Sequence, residues 1–396
     1  MRLLLFIAFL SLVSSCKPGS SEEKQTNSSD IEFSADKFAK DILIIDTHID
    51  LPYRISNESK EIDVSKDFNT GHFDYPKAIN GGLNVAFMSI YTPPSLDGNE
   101  AFQAANSLIN LVDSISEKFP GKFQLIYGPD DIVNKFDNEI IYLPLGMENG
   151  SPINNDLENL VHFYNKGIRY ITLCHFKSNE ICDSSTDDIQ PHGGLSEFGY
   201  NVVKKMNQLG ILVDVSHVSD ETVEDVLEIT KDPVIASHSG CRQLTPGFPR
   251  NLPDHLIKRI GENDGVIMVN FGSMFLNSSS ASNANKMLSI LNERSVEVGS
   301  DEGNKLMKEL EKELPIQSSV DDIVDHIDHI VKIAGIDHVG FGSDFDGVSY
   351  LPEEVKNVSD YPVIIEALKT RGYSNTDIEK ICGKNFLRVW EKVANK

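Results

Sequence analysis

Basic side chains are scarce in this chain. Its 396 residues carry 36 Lys and Arg against 60 Asp and Glu, a formal net charge of −24. That balance excludes a general affinity for nucleic acid or for anionic membrane surfaces, both of which call for a cationic face. Cysteine is sparse as well: Cys16, Cys174, Cys182, Cys241 and Cys382 show none of the short paired spacings of a zinc finger. Cys174 and Cys182 are the best disulfide candidates, although buried free thiols suit the same positions. Long apolar runs are also missing. The run that follows Arg2, LLLFIAFLSLV, is too short to span a bilayer as a mature helix.

That run fits the apolar region of a signal peptide instead, and Val13-Ser14-Ser15-Cys16 looks like a bacterial lipobox. The expectation is a lipoprotein signal peptide over 1–15, a lipidated Cys16, and a Ser/Glu/Lys-rich flexible tether through residue 40. Such a chain belongs to the bacterial cell envelope, with its domain outside the cytoplasm and lipid as the sole membrane contact. Residues 41–396 are then left to form the domain.

From residue 41 onward, short β-branched and aliphatic runs recur: ILIIDTHID (42–50), LNVAFMSIY (83–91), IIYLPLGME (140–148), IRYITLCH (168–175), ILVDVSHV (211–218), PVIASHS (233–239), GVIMVNF (265–271) and HVGFGSDFD (338–346). Between them lie amphipathic helical patterns such as LSEFGYNVVKKMNQLG and VDDIVDHIDHIVKIAG, each ending in Gly. Eight strands alternating with helices predict an α/β fold, a (β/α)8 TIM-like barrel. FQLIYG (123–128) falls outside the count, as an extra strand or a connecting excursion. The long segment from about 272 to 320 predicts a helical insertion after the seventh strand, placed to wall or cover a site.

Reactive residues fall at the ends of these runs: His48 and Asp50, Glu148, His175, His217, His238, then Asp344 and Asp346. In a (β/α)8 barrel the C-terminal strand ends form the active-site face, so residues distant in sequence converge there. Imidazoles and carboxylates together suit zinc, and five ligands serve two ions if one carboxylate bridges. Metal pairs share and acidify a water, so the expected chemistry is hydrolysis. In IIDTHID, residues 46, 48 and 50 share one face of a strand; Asp46 lies a layer deeper and reads as a hydrogen-bonding support.

DTHIDLP, GMENG, GIRYITLCH, GILVDVSHVS, PVIASHSG, PRNLPD, IMVNF and HVGFGSDFDGV resemble the successive motifs of the membrane (renal-type) dipeptidases, binuclear zinc peptidases of the amidohydrolase superfamily. The resemblance runs from about residue 41 to the C-terminus. It implies a dipeptidase with two Zn2+ per chain, bridged by Glu148 and a water or hydroxide that attacks the peptide bond. His48 and Asp50 would hold one ion, and His217 and His238 the other. His175 would stabilise the oxyanion, Arg250 in PRNLPD would pair with the substrate's C-terminal carboxylate, and Asp344 would handle the proton or hold the free amino group. Dimers are common in that family, which leaves a homodimer open. Departures are DTHID for the usual DGHND, Asn149-Gly150-Ser151 after the bridging glutamate, and Cys174 before His175; none removes a ligand.

His326 and His329 share a helix leading into the eighth strand, whose end approaches the opposite face of the barrel, so a structural role is expected for them. The same holds for His72, His162, His192, His255 and His338, and Cys241 reads as a small buried filler. Two other functions stay open on the sequence: a metal-dependent hydrolase of another amide, such as a lactam or an N-acyl amino acid, and a lipoprotein that binds peptides without cleaving them.

Overall fold

In the computed structural model, the residues described are 33–58, 62–133, 137–296 and 301–394. The signal peptide, Cys16 and most of the tether lie outside them. The expected tether end at residue 40 is corrected. A helix covers Ala35–Asp41, the Ser34 hydroxyl accepts from the Lys37 amide at its start, and Ala35 and Ala39 are buried.

Ten strands form one sheet: β1 (Ile45–Ile49), β2 (Val85–Tyr91), β3 (Phe123–Leu125), β4 (Ile141–Leu143), β5 (Leu145–Glu148), β6 (Ile168–Thr172), β7 (Leu212–Asp214), β8 (Ile235–Ser239), β9 (Val266–Val269) and β10 (Val339–Phe341). The order β1-β2-β5-β6-β7-β8-β9-β10 closes on itself through parallel β1–β2 and β1–β10 pairings, a barrel of eight strands. The run IIYLPLGME is two strands, because Pro144 has no N–H to continue the ladder. Its first half, β4, pairs with the start of β2 and with β3; its second half, β5, pairs with the end of β2 and with β6. FQLIYG therefore supplies β3, which extends the sheet outside the barrel.

The strand starts contribute Ile45, Val85, Leu212, Ile235 and Val266 to one core cluster, together with Phe386, Val389, Trp390 and Val393 of the helix Asn385–Ala394. That helix therefore plugs the N-terminal end of the barrel. The single Trp is fully buried and lies 5.0 Å from Phe87, ring to ring. Truncating such a side chain to Ala costs about 3–5 kcal/mol. With one end sealed by apolar packing, only the opposite mouth is left for polar chemistry.

Two predicted helices end as their glycines require. Gly210 caps Glu197–Leu209 in the left-handed region at φ 75°, which only a residue without Cβ adopts freely. Gly335 follows Val320–Ala334 at φ 104°. The insertion after β9 is helical as expected, with Ser273–Leu276, Ser278–Glu293 and Asp301–Leu310 preceding Val320–Ala334. His326 pins it: the Cys241 amide donates to Nδ1 at 2.9 Å, and Nε2–H donates to the Leu276 carbonyl at 2.9 Å. His329 Nε2 hydrogen-bonds Asp254 Oδ1 at 2.7 Å. Cys174, Cys182, Cys241 and Cys382 are all buried free thiols.

Candidate active site and metal centre

The C-terminal ends of the strands gather the predicted residues. β1 supplies His48 and leads into Asp50, β5 ends on Glu148, and β8 carries His238; His175, His217 and Asp344 stand just past β6, β7 and β10. All are buried or nearly so. Glu148 is the centre of the arrangement. Its Oε2 lies 3.3 Å from His48 Nε2, while its Oε1 lies 3.1 Å from His217 Nε2, 3.3 Å from His238 Nε2 and 3.4 Å from His175 Nε2. Asp50 Oδ2 is 3.4 Å from His48 Nε2.

These spacings test whether zinc fits. Two donors each about 2.0–2.1 Å from a tetrahedral zinc stand about 3.3–3.4 Å apart, close to the separations seen. Three groups of donors lie within reach of a common point: His48, Glu148 and His238; Glu148, His175 and His217; His48, Asp50 and Asp344. His175 and Asp344 thus sit nearer the donor centre than sequence alone suggested. His48 Nε2 and Asp50 Oδ1 are buried without a hydrogen-bond partner, as expected of atoms meant for a cation.

Two of the imidazoles are oriented from behind by a hydroxyl oxygen. The Tyr170 hydroxyl donates its one hydrogen to the Thr47 carbonyl at 3.0 Å, so its oxygen accepts from His48 Nδ1–H at 2.9 Å. Gly146 makes room for that ring, since a Cβ there would meet Tyr170 Cζ at 2.0 Å. On β8, Ser237 Oγ donates to Asp214 Oδ2 at 2.5 Å and therefore accepts from His238 Nδ1–H at 2.8 Å. Asp214 also accepts from Thr172 Oγ1 at 2.5 Å and from the Ser237 and Ser216 amides. In both rings Nδ1–H is held from behind and Nε2 is the nitrogen turned to the centre, the orientation a ligating histidine needs.

Electrostatics separate the rings: burial would lower His48, but Tyr170, Glu148 and Asp50 hold its pKa well above that of an ordinary histidine, so its ring is the charged one of the set. Burial, joined for His217 by the Arg250 and His175 charges and for His238 by the His48 charge, holds both pKa values well below that of an ordinary histidine, so these two rings are neutral. Burial alone would raise Glu148, but His48 and His175 and the hydrogen bonds from His175 and His217 keep it well below the carboxylate range. Burial and the neighbouring Asp50 charge push Asp344 well above that range, which suits a proton carrier. Asn270 Nδ2 donates to Asp344 Oδ2 at 2.7 Å. His217 and Asp344 have φ values of 70° and 63°, a left-handed backbone that costs non-glycine residues energy and is retained where the surroundings enforce it. Gly347 brings backbone against both acids: a Cβ there would lie 2.2 Å from Asp50 Oδ2 and 2.3 Å from Asp344 Oδ1.

Arg250 is buried, not a surface residue. Its two terminal nitrogens donate to Ser239 Oγ at 2.8 Å and to the His238 carbonyl at 2.7 Å, its guanidinium lies 5.5 Å from the Phe275 ring of the insertion, and its Nε has no partner. Burial lowers its pKa to about 10 despite the attraction of Asp344. Among the described residues it makes no ion pair, so three of its five N–H donors remain for an anionic ligand.

Several sequence assignments resolve. Asp46 touches no imidazole; it accepts from the His48 amide at 3.1 Å and the Ser343 amide at 2.9 Å, and from the Tyr361 hydroxyl, so it supports backbone. Asp346 points away, accepting from the His72 amide at 2.6 Å and pairing with Arg54 at 3.1 Å. Asn149 is a hub: it donates to the Thr92 carbonyl at 2.9 Å and accepts from Ser151 Oγ at 2.9 Å and Asn179 Nδ2 at 3.1 Å. Tyr170, Ser237, Asp214 and Thr172 went unrecognised in the sequence; the only hint was polar residues inside runs that also carry a ligand.

The family model for membrane dipeptidase (peptidase family M19) matches residues 33–396. An uncharacterized dipeptidase of Schizosaccharomyces pombe is 33% identical over 375 residues, covering 90% of this chain and 82% of that protein. Dipeptidase tcpJ of Claviceps purpurea is 30% identical over 331 residues, covering 82% and 69%. The crystal structure of the probable dipeptidase PvdM from Pseudomonas aeruginosa superposes with a TM-score of 0.81 at 28% identity, covering 91% of this chain and 98% of that one. A metallo peptidase from Rhodobacter sphaeroides, at 23% identity, shares the fold with a TM-score of 0.74 over 89% and 99% of the two chains. With its barrel, its histidine and carboxylate centre and these relatives, the chain belongs to the membrane dipeptidase family, peptidase family M19, and is a metal-dependent dipeptidase.

Proposed function

We propose that this enzyme cleaves dipeptides at a two-zinc centre, with His48 and Asp50 holding one ion, His217 and His238 the other, and Glu148 joining them. The observation that carries the proposal is the division of Glu148: Oε2 faces His48 while Oε1 faces His217 and His238. Zinc bound there would supply Lewis acidity and bring the pKa of a water towards about 7.

The chain's own groups do the rest. Arg250 offers its unspent donors to the C-terminal carboxylate of the substrate and thereby sets which peptide bond lies at the centre. His175 lies close enough to Glu148 to donate to the developing oxyanion. Asp344, held by Asn270, takes the proton that the attacking water releases and delivers it to the leaving nitrogen. A tripeptide would place an amide where Arg250 requires a carboxylate.

Metal analysis of the purified protein, combined with turnover of dipeptides, tripeptides and N-acylated dipeptides, tests this. Two zinc ions per chain and cleavage restricted to free dipeptides are expected. Equal cleavage of blocked peptides would support a hydrolase of other amides, and absence of turnover with zinc restored would support a binder.

We further infer that Cys16 carries lipid and holds the enzyme to the bacterial envelope with its domain outside the cytoplasm. The support is the Arg2, apolar run and VSSC pattern, and none of the helices among the described residues is long and apolar enough to cross a membrane. Cys16→Ala should move the enzyme from the membrane fraction to the soluble fraction and abolish fatty-acid labelling; retention on the membrane would refute the anchor.

A further inference from the structure

Three large apolar side chains are notably exposed among the described residues: Tyr127, Phe176 and Ile189. Of these, Phe176 stands at the site. It follows His175 directly, its ring centroid is 4.0 Å from that of His175 and 5.4 Å from that of His217, and it is 47% exposed. No mechanistic step described above uses it. We propose that Phe176 is the wall of the subsite for the side chain of the substrate's C-terminal residue, and that it selects large apolar side chains there. The proposal rests on the dipeptidase reading and extends it to substrate class.

The position of Phe176 is set in advance. Its carbonyl accepts from Thr186 Oγ1 at 3.2 Å, the His175 carbonyl beside it accepts from Ser184 Oγ at 2.6 Å, and Asp187 accepts from the Ser178 amide at 2.9 Å. The loop is therefore tied on both sides of the ring, and the exposed aromatic face needs little further ordering to bind. An apolar face left open beside buried polar groups is covered when an apolar ligand group packs against it.

The assignment to the C-terminal residue comes from the two flanks of the centre. Asp50 and Asp344 form one flank with His48, an anionic environment that suits the free ammonium group and offers nothing to an apolar side chain. His217 and His238 form the other; Arg250, which takes the carboxylate, is bonded to His238 and Ser239 on that side. Phe176 packs on the same flank through His217.

The test uses the full-length zinc-loaded enzyme with Phe176→Ala and Phe176→Leu, assayed on glycyl-phenylalanine, phenylalanyl-glycine and glycyl-glycine. One large apolar contact discriminates about tenfold or more. Phe176→Ala should lower the kcat/KM ratio of glycyl-phenylalanine to glycyl-glycine about tenfold, chiefly through KM, and Phe176→Leu should retain most of that ratio. The ratio of phenylalanyl-glycine to glycyl-glycine should move less than twofold. An unchanged glycyl-phenylalanine ratio, a change confined to phenylalanyl-glycine, or an equal loss on all three substrates would overturn the proposal. If the wild-type enzyme cleaves none of the three, the dipeptidase reading itself fails, a result distinct from cleavage without selectivity.

Discussion

If the centre holds two zinc ions as proposed, Ser237→Ala should weaken one metal site and spare the other. The Ser237 hydroxyl links Asp214 to His238, accepting from Nδ1–H at 2.8 Å while donating to the carboxylate at 2.5 Å. Without it, a buried Nδ1–H loses its acceptor and the ring loses the constraint that presents Nε2 to Glu148. Leaving a buried donor unpaired costs about 1–3 kcal/mol, and loss of such an outer partner lowers metal affinity roughly 10- to 100-fold. Asp214 keeps its bonds from Thr172 and from the Ser216 and Ser237 amides, so the fold should survive. Competition titrations of metal-free protein with a chromophoric zinc chelator resolve the two sites. In Ser237→Ala the site of His217 and His238 should weaken by that factor, and the site of His48 and Asp50 should hold. Tyr170→Phe should give the reverse, since the Tyr170 hydroxyl accepts from His48 Nδ1. Zinc affinities within twofold of wild type in both variants, or both sites weakened equally in each, would refute the reasoning.

Arg250→Ala should lower kcat/KM on dipeptides by about 30- to 5,000-fold, the roughly 2–5 kcal/mol that goes with removing one partner of a buried charge pair. The same variant should lose discrimination between a dipeptide and its C-terminal amide; a preserved preference would show that Arg250 does not read the carboxylate. For His326, burial keeps the pKa at about 4 in the fold, below the ordinary 6.5. The unfolded chain thus binds this proton first as pH falls, so the neutral ring's contribution is complete above about 6.5 and is lost towards about 4, on the order of 3 kcal/mol in all. Denaturant unfolding of metal-free protein at pH 7 and pH 5 should show a loss about 2 kcal/mol smaller in His326→Gln than in wild type. Parallel losses would remove His326 from the account.

Strand ends were the most legible feature of the sequence, because a (β/α)8 barrel places its chemistry at one end of its strands and six of the eight runs carry His, Asp or Glu at or near their last residue. The run IIYLPLGME was less legible. Pro144 divides it, yet the two halves pair with different neighbours on one side, a long-range choice that no local pattern shows. Residues 35–40 read as tether in the sequence because so short a helix is stabilised by the buried Ala35 and Ala39 rather than by its own propensity.

What the sequence by itself determined was the kind of fold and the set of reactive side chains: alternating apolar runs and amphipathic stretches leave few ways to bury their surfaces, and ionisable residues closing such runs must converge. Only the tertiary structure decided how those residues are aimed. Tyr170 and Ser237 hold His48 and His238 by Nδ1–H and turn Nε2 to the centre, the two oxygens of Glu148 face different imidazoles, and Arg250 is buried with donors to spare. The reason is range: periodicity records which face a side chain occupies along its own strand, whereas a hydrogen bond between strands depends on register and on ångström-scale placement of segments far apart in the chain.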